Sequence, residues 1–260
     1  DFITKEPLDC DAVTGDMKLP VPSQIGFDSN KEIKVTSSNT DVMTINGYRT
    51  YVYQPLPGSP ASEVNLVITY TKDGISVYKE IPLKIQPLSQ EYIDSEITLM
   101  EKAKASYFEG INDGRNLSKD KVTESLHGFR EVSWNEDQTA LQWSYHINDD
   151  TGKGIQPVDI NPDDQMGTSG YRTFKSSNTS VITHENLLVT RPENNTSVTI
   201  SSVLSSIKYE KYAEKYPESE DLQKLYRQPV SVDVTVKGTK MTPASVSDGS
   251  AKRISSTEAR

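Results

Sequence analysis

Thr36-Ser37-Ser38-Asn39-Thr40-Asp41-Val42 returns later in the chain as Lys175-Ser176-Ser177-Asn178-Thr179-Ser180-Val181. Repeats of this kind signal one supersecondary unit used more than once. Two further echoes flank this one in the same order. Upstream, Asp11-Ala12-Val13-Thr14 matches Asp120-Lys121-Val122-Thr123. Downstream, Val52-Tyr53-Gln54-Pro55 matches Val189-Thr190-Arg191-Pro192. Three echoes in order predict two copies of one module. Between the first and second echoes the later copy is longer by about 30 residues, which places an insertion at 134–170. A second insertion, 207–228, precedes its last strand; the first copy has only a short turn there.

Strand signals fill both copies. Residues 64–70 and 76–85 are rich in Val, Ile and Tyr and flank the turn residues Lys72-Asp73-Gly74, which predicts a hairpin. Residues 230–236 and 140–147 alternate apolar and polar, the period of a half-buried strand. Helical signals are local. A Ser-capped segment over 89–108 carries Ile93, Ile97, Met100 and Lys104 at helical spacing, with Ala103 and Tyr107 beside them. Residues 118–126 predict a short helical turn, and 208–226 intersperses Tyr209, Tyr212 and Tyr216 among helix formers. The expected class is all-β with minor helices: two tandem β-sandwich modules, the second with a leading helix and a helical insertion. The expected boundaries are 1–88 for the first module, 89–238 for the second with its helix at 89–110, and a tail or linker over 239–260.

Composition narrows the function. The 260 residues suit two modules of roughly 100–150 residues. A net charge of −9 argues against a nucleic-acid footprint and against anionic membrane surfaces. No apolar run reaches the length of a membrane span. Cys10 is the single cysteine, so no disulfide forms within the chain; this points to a bacterial or an intracellular module, and Cys10 reads as an incidental thiol. The first residues carry no signal peptide, and the last read as a tail. The expectation is an excerpt of a longer protein, with any export signal or wall anchor outside it.

The ordered pattern has a family likeness. Gly114-Arg115-Asn116-Leu117-Ser118-Lys119-Asp120-Lys121-Val122-Thr123, then the Phe174–Ile182 strand with its Ser-Ser-Asn, then Leu188-Val189-Thr190-Arg191-Pro192, resembles atrophied bacterial immunoglobulin-like repeats. Residues 11–85 resemble the same module without its leading helix. The resemblance implies an immunoglobulin-like sandwich in an extracellular, secreted or cell-surface protein of Gram-positive bacteria. It implies no activity, since fold alone carries none.

Candidate sites are few. No GxSxG, GxGxxG or Walker sequence occurs, and His127, His146 and His184 lack partners at ligand spacing. No catalytic residue and no cofactor is expected. Asp159, Asn161 and Asp163 alternate oxygen side chains along one loop, with Asn148-Asp149-Asp150 nearby, and form a weak candidate for structural Ca²⁺. Trp134, Trp143, Tyr145 and Tyr171 gather around the first insertion, where exposed rings would stack on sugars. Trp143 and Tyr145 also share one strand face, as core residues would. The sequence thus reads as a non-catalytic structural or interaction segment, a spacer or adhesin. Its partners would be other domains of the same protein, or a host or cell-wall glycan or protein. The alternative is a carbohydrate- or protein-binding module that uses the aromatic-rich insertion.

Overall fold

The computed structural model describes residues 9–25, 32–145, 154–160, 173–184 and 186–240. It is β-rich with short helices. Two compact units divide it: Asp1–Glu101 with Gly152–Gly154 and Ser206–Tyr226, and Lys102–Thr151 with Ile155–Ser205 and Arg227–Arg260. The sequence reading instead began the second module at residue 89 and counted 207–228 within it. Among the described residues no helix is long and apolar enough to cross a membrane.

In the first unit β1 (Ile33–Ser37) lies beside β4 (Ser62–Lys72), and β4 beside β5 (Ile75–Ile85), all antiparallel. The turn at Asp73 and Gly74 has positive φ at both residues, 49° and 80°, the geometry of a tight hairpin that glycine eases. β2 (Met43–Asn46) and β3 (Arg49–Val52) form a second hairpin. Alternation along β4 turns Val64 and Leu66 inward onto Val13, Met17, Met43, Val52, Leu83 and Ile85.

Three residues of α3 (Glu210–Lys215) and its C-terminal end reach this unit from far along the chain. The Tyr212 hydroxyl donates to Val52 O at 3.1 Å, and that of Tyr216 to Gln54 O at 3.1 Å. Lys211 Nζ meets Asp16 Oδ1 at 2.8 Å. α4 (Glu220–Gln223) follows, with Leu222 buried. α1 (Gln90–Ala105) begins in this unit and buries Ile93, Leu99 and Met100.

The second unit opens with α2 (Tyr107–Asn112) and centres on β10 (Thr196–Ser206) paired with β11 (Gln228–Val236). β9 (Phe174–Ser176) pairs with β10 from the other side. β6 (Glu131–Trp134), β7 (Leu141–Ser144) and β8 (Ile155–Pro157) extend that sheet in the order β11-β10-β8-β6-β7. Residues 118–126, expected to be helical, make a single turn through Lys121 N–H to Ser118 O, after which Val122 bridges Val236. Capture by the last strand overrides the local helical preference.

The same backbone bonds recur at the three sequence echoes. Val42 and Met43 N–H donate to Asn39 O; Val181 and Ile182 N–H donate to Asn178 O. Asn39 N–H binds Ser37 Oγ and Asn178 N–H binds Ser176 Oγ, both at 3.2 Å. Ser38 N–H donates to Asn65 O and Ser38 Oγ accepts Asn65 N–H; Ser177 and Thr199 do the same. Val13 runs parallel to Ile85 as Val122 does to Val236. Asp16 Oδ1 accepts Val52 N–H, and Ser125 Oγ accepts Val189 N–H. Leu88 N–H donates to Pro55 O and Thr239 N–H to Pro192 O. Short polar side chains at these positions supply acceptors for amides that the strands leave unpaired, which is why Ser, Asn and Asp stand there.

Asn116 does comparable work once. Its Oδ1 accepts Thr123 and Glu124 N–H at 2.8 and 2.9 Å, and its Nδ2 donates to Asn112 Oδ1 and Glu124 O. Because Asn116 is buried, Asn116→Ala strands two amides and is expected to lower the unfolding free energy by about 2–4 kcal/mol in urea titration.

Candidate functional site

The aromatic residues singled out in the sequence fall on β6, β7 and the residues just beyond. Asn135 shapes the connecting turn: its Oδ1 accepts Thr139 and Ala140 N–H, both at 2.9 Å. Asp137 Oδ1 accepts the Thr139 hydroxyl at 2.6 Å, and that bond holds its carboxyl below the usual range. The register then sets Val132 opposite Trp143 and Trp134 opposite Leu141.

Val132 is fully buried, so its cross-strand partner Trp143 faces the interior. The Trp143 ring lies over Gly110, where an added Cβ would come within 2.4 Å of it, and stands edge-on to Phe129 at 4.6 Å between centroids. Phe129 also meets Tyr107 and Phe174 edge-on, at 6.3 and 6.0 Å. Gly128 makes room for the Phe174 ring as Gly110 does for Trp143. The two glycines thus answer to ring packing and not to backbone geometry. Trp134 is half-buried, its Nε1 buried with no hydrogen-bond partner and Lys102 Nζ 4.8 Å from its ring centre. Neither indole lies free on the surface.

Tyr145 differs. Its ring stacks on His127 at 4.3 Å and 27°. Its hydroxyl bonds Asp113, whose Oδ2 is 3.7 Å from both His127 Nδ1 and Arg115 Nε. Asp113 sits at the left-handed C-terminal cap of α2 with φ 50°, which turns the chain toward Arg115. Burial, and then the hydrogen bond to Asp113 and its charge, push the Tyr145 hydroxyl up to about 12. The sequence offered His127 only as a histidine without a partner at ligand spacing, and it did not single out Asp113; the fold brings the two together. The cluster sets an aromatic face, a carboxylate and a guanidinium side by side on a partly exposed surface. Such a set can bind hydroxyl-rich or charged groups.

Asp159 is exposed, while Asn161, Asp163, Asn148-Asp149-Asp150, Tyr171 and His146 lie outside the described residues. Among the described residues no three His, Cys, Asp or Glu stand together to hold a metal ion. His184 Nδ1 accepts Ser176 N–H at 3.0 Å, closing the end of β9. Cys10 packs against the first unit's core. An open groove of about 560 Å³ runs along α2, the 117–120 loop and β11, lined by Tyr107, Phe108, Leu117, Asp120 and Val232. No protein-family model matches the chain, and no curated protein matches it.

Removing the Asp113 charge should favour the phenolate. Tyrosine-selective NMR titration of Asp113→Asn is expected to show Tyr145 ionising below its wild-type value and nearer 10, with part of the rise left because burial remains. The folded-state value lies above that of a free tyrosine. The contribution to stability is therefore complete below pH 10.0 and declines as pH rises through about 12. An unchanged titration would separate the carboxylate from the ring.

Proposed function

We propose that this chain is a pair of immunoglobulin-like sandwich modules, forming a non-catalytic spacer or adhesin segment of an extracellular bacterial surface protein. The observation that carries this reading is the recurrence of one set of backbone bonds around Ser37–Val42 and Ser176–Val181, with the parallel bridges Val13–Ile85 and Val122–Val236. Repetition of a small module adds length without adding chemistry, as a spacer requires.

The bridges also suit a load-bearing role. Val13 N–H donates to Lys84 O, and Gln86 N–H to Val13 O; Val122 N–H donates to Thr235 O, and Lys237 N–H to Val122 O. In each copy a segment near the start thus runs parallel to the last strand. Tension between the two ends of a copy pulls these segments in opposite directions along their length. The bonds between them are then strained together and not one at a time. The single cysteine agrees with a bacterial or an intracellular module, and the resemblance at 114–123 and 174–192 favours the bacterial surface.

Single-molecule extension of the full chain from its termini is expected to show two separate unfolding events. Val122→Pro deletes one bridging amide, and it should lower the unfolding force of one event while leaving the other in place. Extension without a force barrier, or a loss of both events in the variant, would overturn the proposal.

A further inference from the structure

β5 is the outer strand of the first unit's sheet among the described residues, and its outer edge can be read residue by residue. Asn65 directs its backbone groups to Ser38 on the β1 side of β4. Its cross-strand partner Pro82 therefore faces away from β4. Lys84, two residues on, faces the same way: it accepts Val13 N–H and donates to Cys10 O. By alternation Ser76, Tyr78 and Glu80 also direct their N–H and C=O outward; among the described residues the Cys10–Val13 segment takes the Lys84 end of this edge, and nothing pairs with Ser76, Tyr78 or Glu80 on that side. The strand is bare there, and three of its exposed side chains are large and apolar: Ile75 is 72% exposed, Val77 58% and Tyr78 72%, interleaved with exposed Ser76, Lys79 and Glu80. An edge of this kind is a template for another strand.

The second unit treats the corresponding position differently. Ser37 pairs with Leu66 and Ser176 with Ile200; three residues further along, Thr69 faces Tyr78 and Val203 faces Pro229. Proline has no N–H to give, so β11 is blunted where β5 is open.

We propose that the β5 edge pairs two copies of this chain, antiparallel, about a two-fold axis at Tyr78. That register pairs the outward groups of Ser76, Tyr78 and Glu80 at once. Tyr78 exchanges both bonds with its own copy, and Ser76 does so with Glu80 of the second copy, twice. Centring the axis on Glu80 would set the Pro82 ring against Tyr78 and bring two glutamates together; centring it on Lys79 would oppose two lysines. With Tyr78 at the axis, Ile75 meets Ile81, Val77 meets Lys79 and no like charges are opposed. The contact is short, so the dimer is weak and concentration-dependent.

Sedimentation of the full chain over a concentration series, with residue-resolved hydrogen exchange, tests this. The wild type is expected to move toward twice the monomer mass as concentration rises. The Ser76, Tyr78 and Glu80 amides should slow in step. Tyr78→Pro removes only an outward N–H and places on β5 the residue that β11 already tolerates; it should weaken association by about tenfold or more. If that variant fails to fold, Val77→Lys, which leaves the backbone intact, should weaken association in its place. A wild type that stays monomeric overturns the proposal. So do amides slow at every concentration, which would mean that the chain's own residues cover the edge, and a folded variant that dimerises as tightly as wild type.

Discussion

In each unit everything is arranged on one long antiparallel strand pair, β4 with β5 and β10 with β11. Among the described residues these are the longest strands, and each buries an alternating pair: Val64 and Leu66 with Leu83 and Ile85 in one, Val198 and Ile200 with Val234 and Val236 in the other. The shorter strands borrow their register from this pair. β1 and β9 attach to its concealed side, and Val13 and Val122 attach to its last strand in parallel. The Ser-Ser-Asn loop then fixes where the added strand ends, because its hydroxyl and amide groups exchange bonds with Asn65 in one unit and Thr199 in the other.

The units diverge where the pair runs past its shared core. Along β10 burial continues through Ser202 and Leu204, and β8 lies beside it. Along β4 burial stops after Leu66, and the far half of the β4–β5 hairpin carries Ile75, Val77 and Tyr78 into solvent. The second unit lays β8 beside this region; among the described residues of the first, no strand does so. The segment Ser206–Tyr226, although it joins β10 to β11, makes its side-chain bonds to Asp16, Val52 and Gln54.

How much of this was legible depended on whether the signal was local. The hairpin at 64–85 could be read from Val and Ile runs about Asp73-Gly74, and the helix from its cap and apolar stripe, because each lies in one stretch of chain. The attachment of α3 could not: Tyr209, Tyr212 and Tyr216 announce an apolar helix face, but nothing near them says which core it meets. The aromatic candidates show the same limit. Trp143 and Tyr145 share a strand face, and only the fold separates a ring packed on Gly110 and Phe129 from one stacked on His127 beside Asp113. Asp113 caps the end of α2, and its bond to Tyr145 depends on a strand about thirty residues away in the chain.

The central claim, that one bonding scheme is built twice, is tested most directly by NMR scalar couplings through hydrogen bonds in the full chain. The account predicts paired couplings: Val13 N to Lys84 carbonyl with Val122 N to Thr235 carbonyl, and Ser38 N to Asn65 carbonyl with Ser177 N to Thr199 carbonyl. Couplings present in one unit and missing from the matching positions of the other, in amides that are otherwise well resolved, would contradict it.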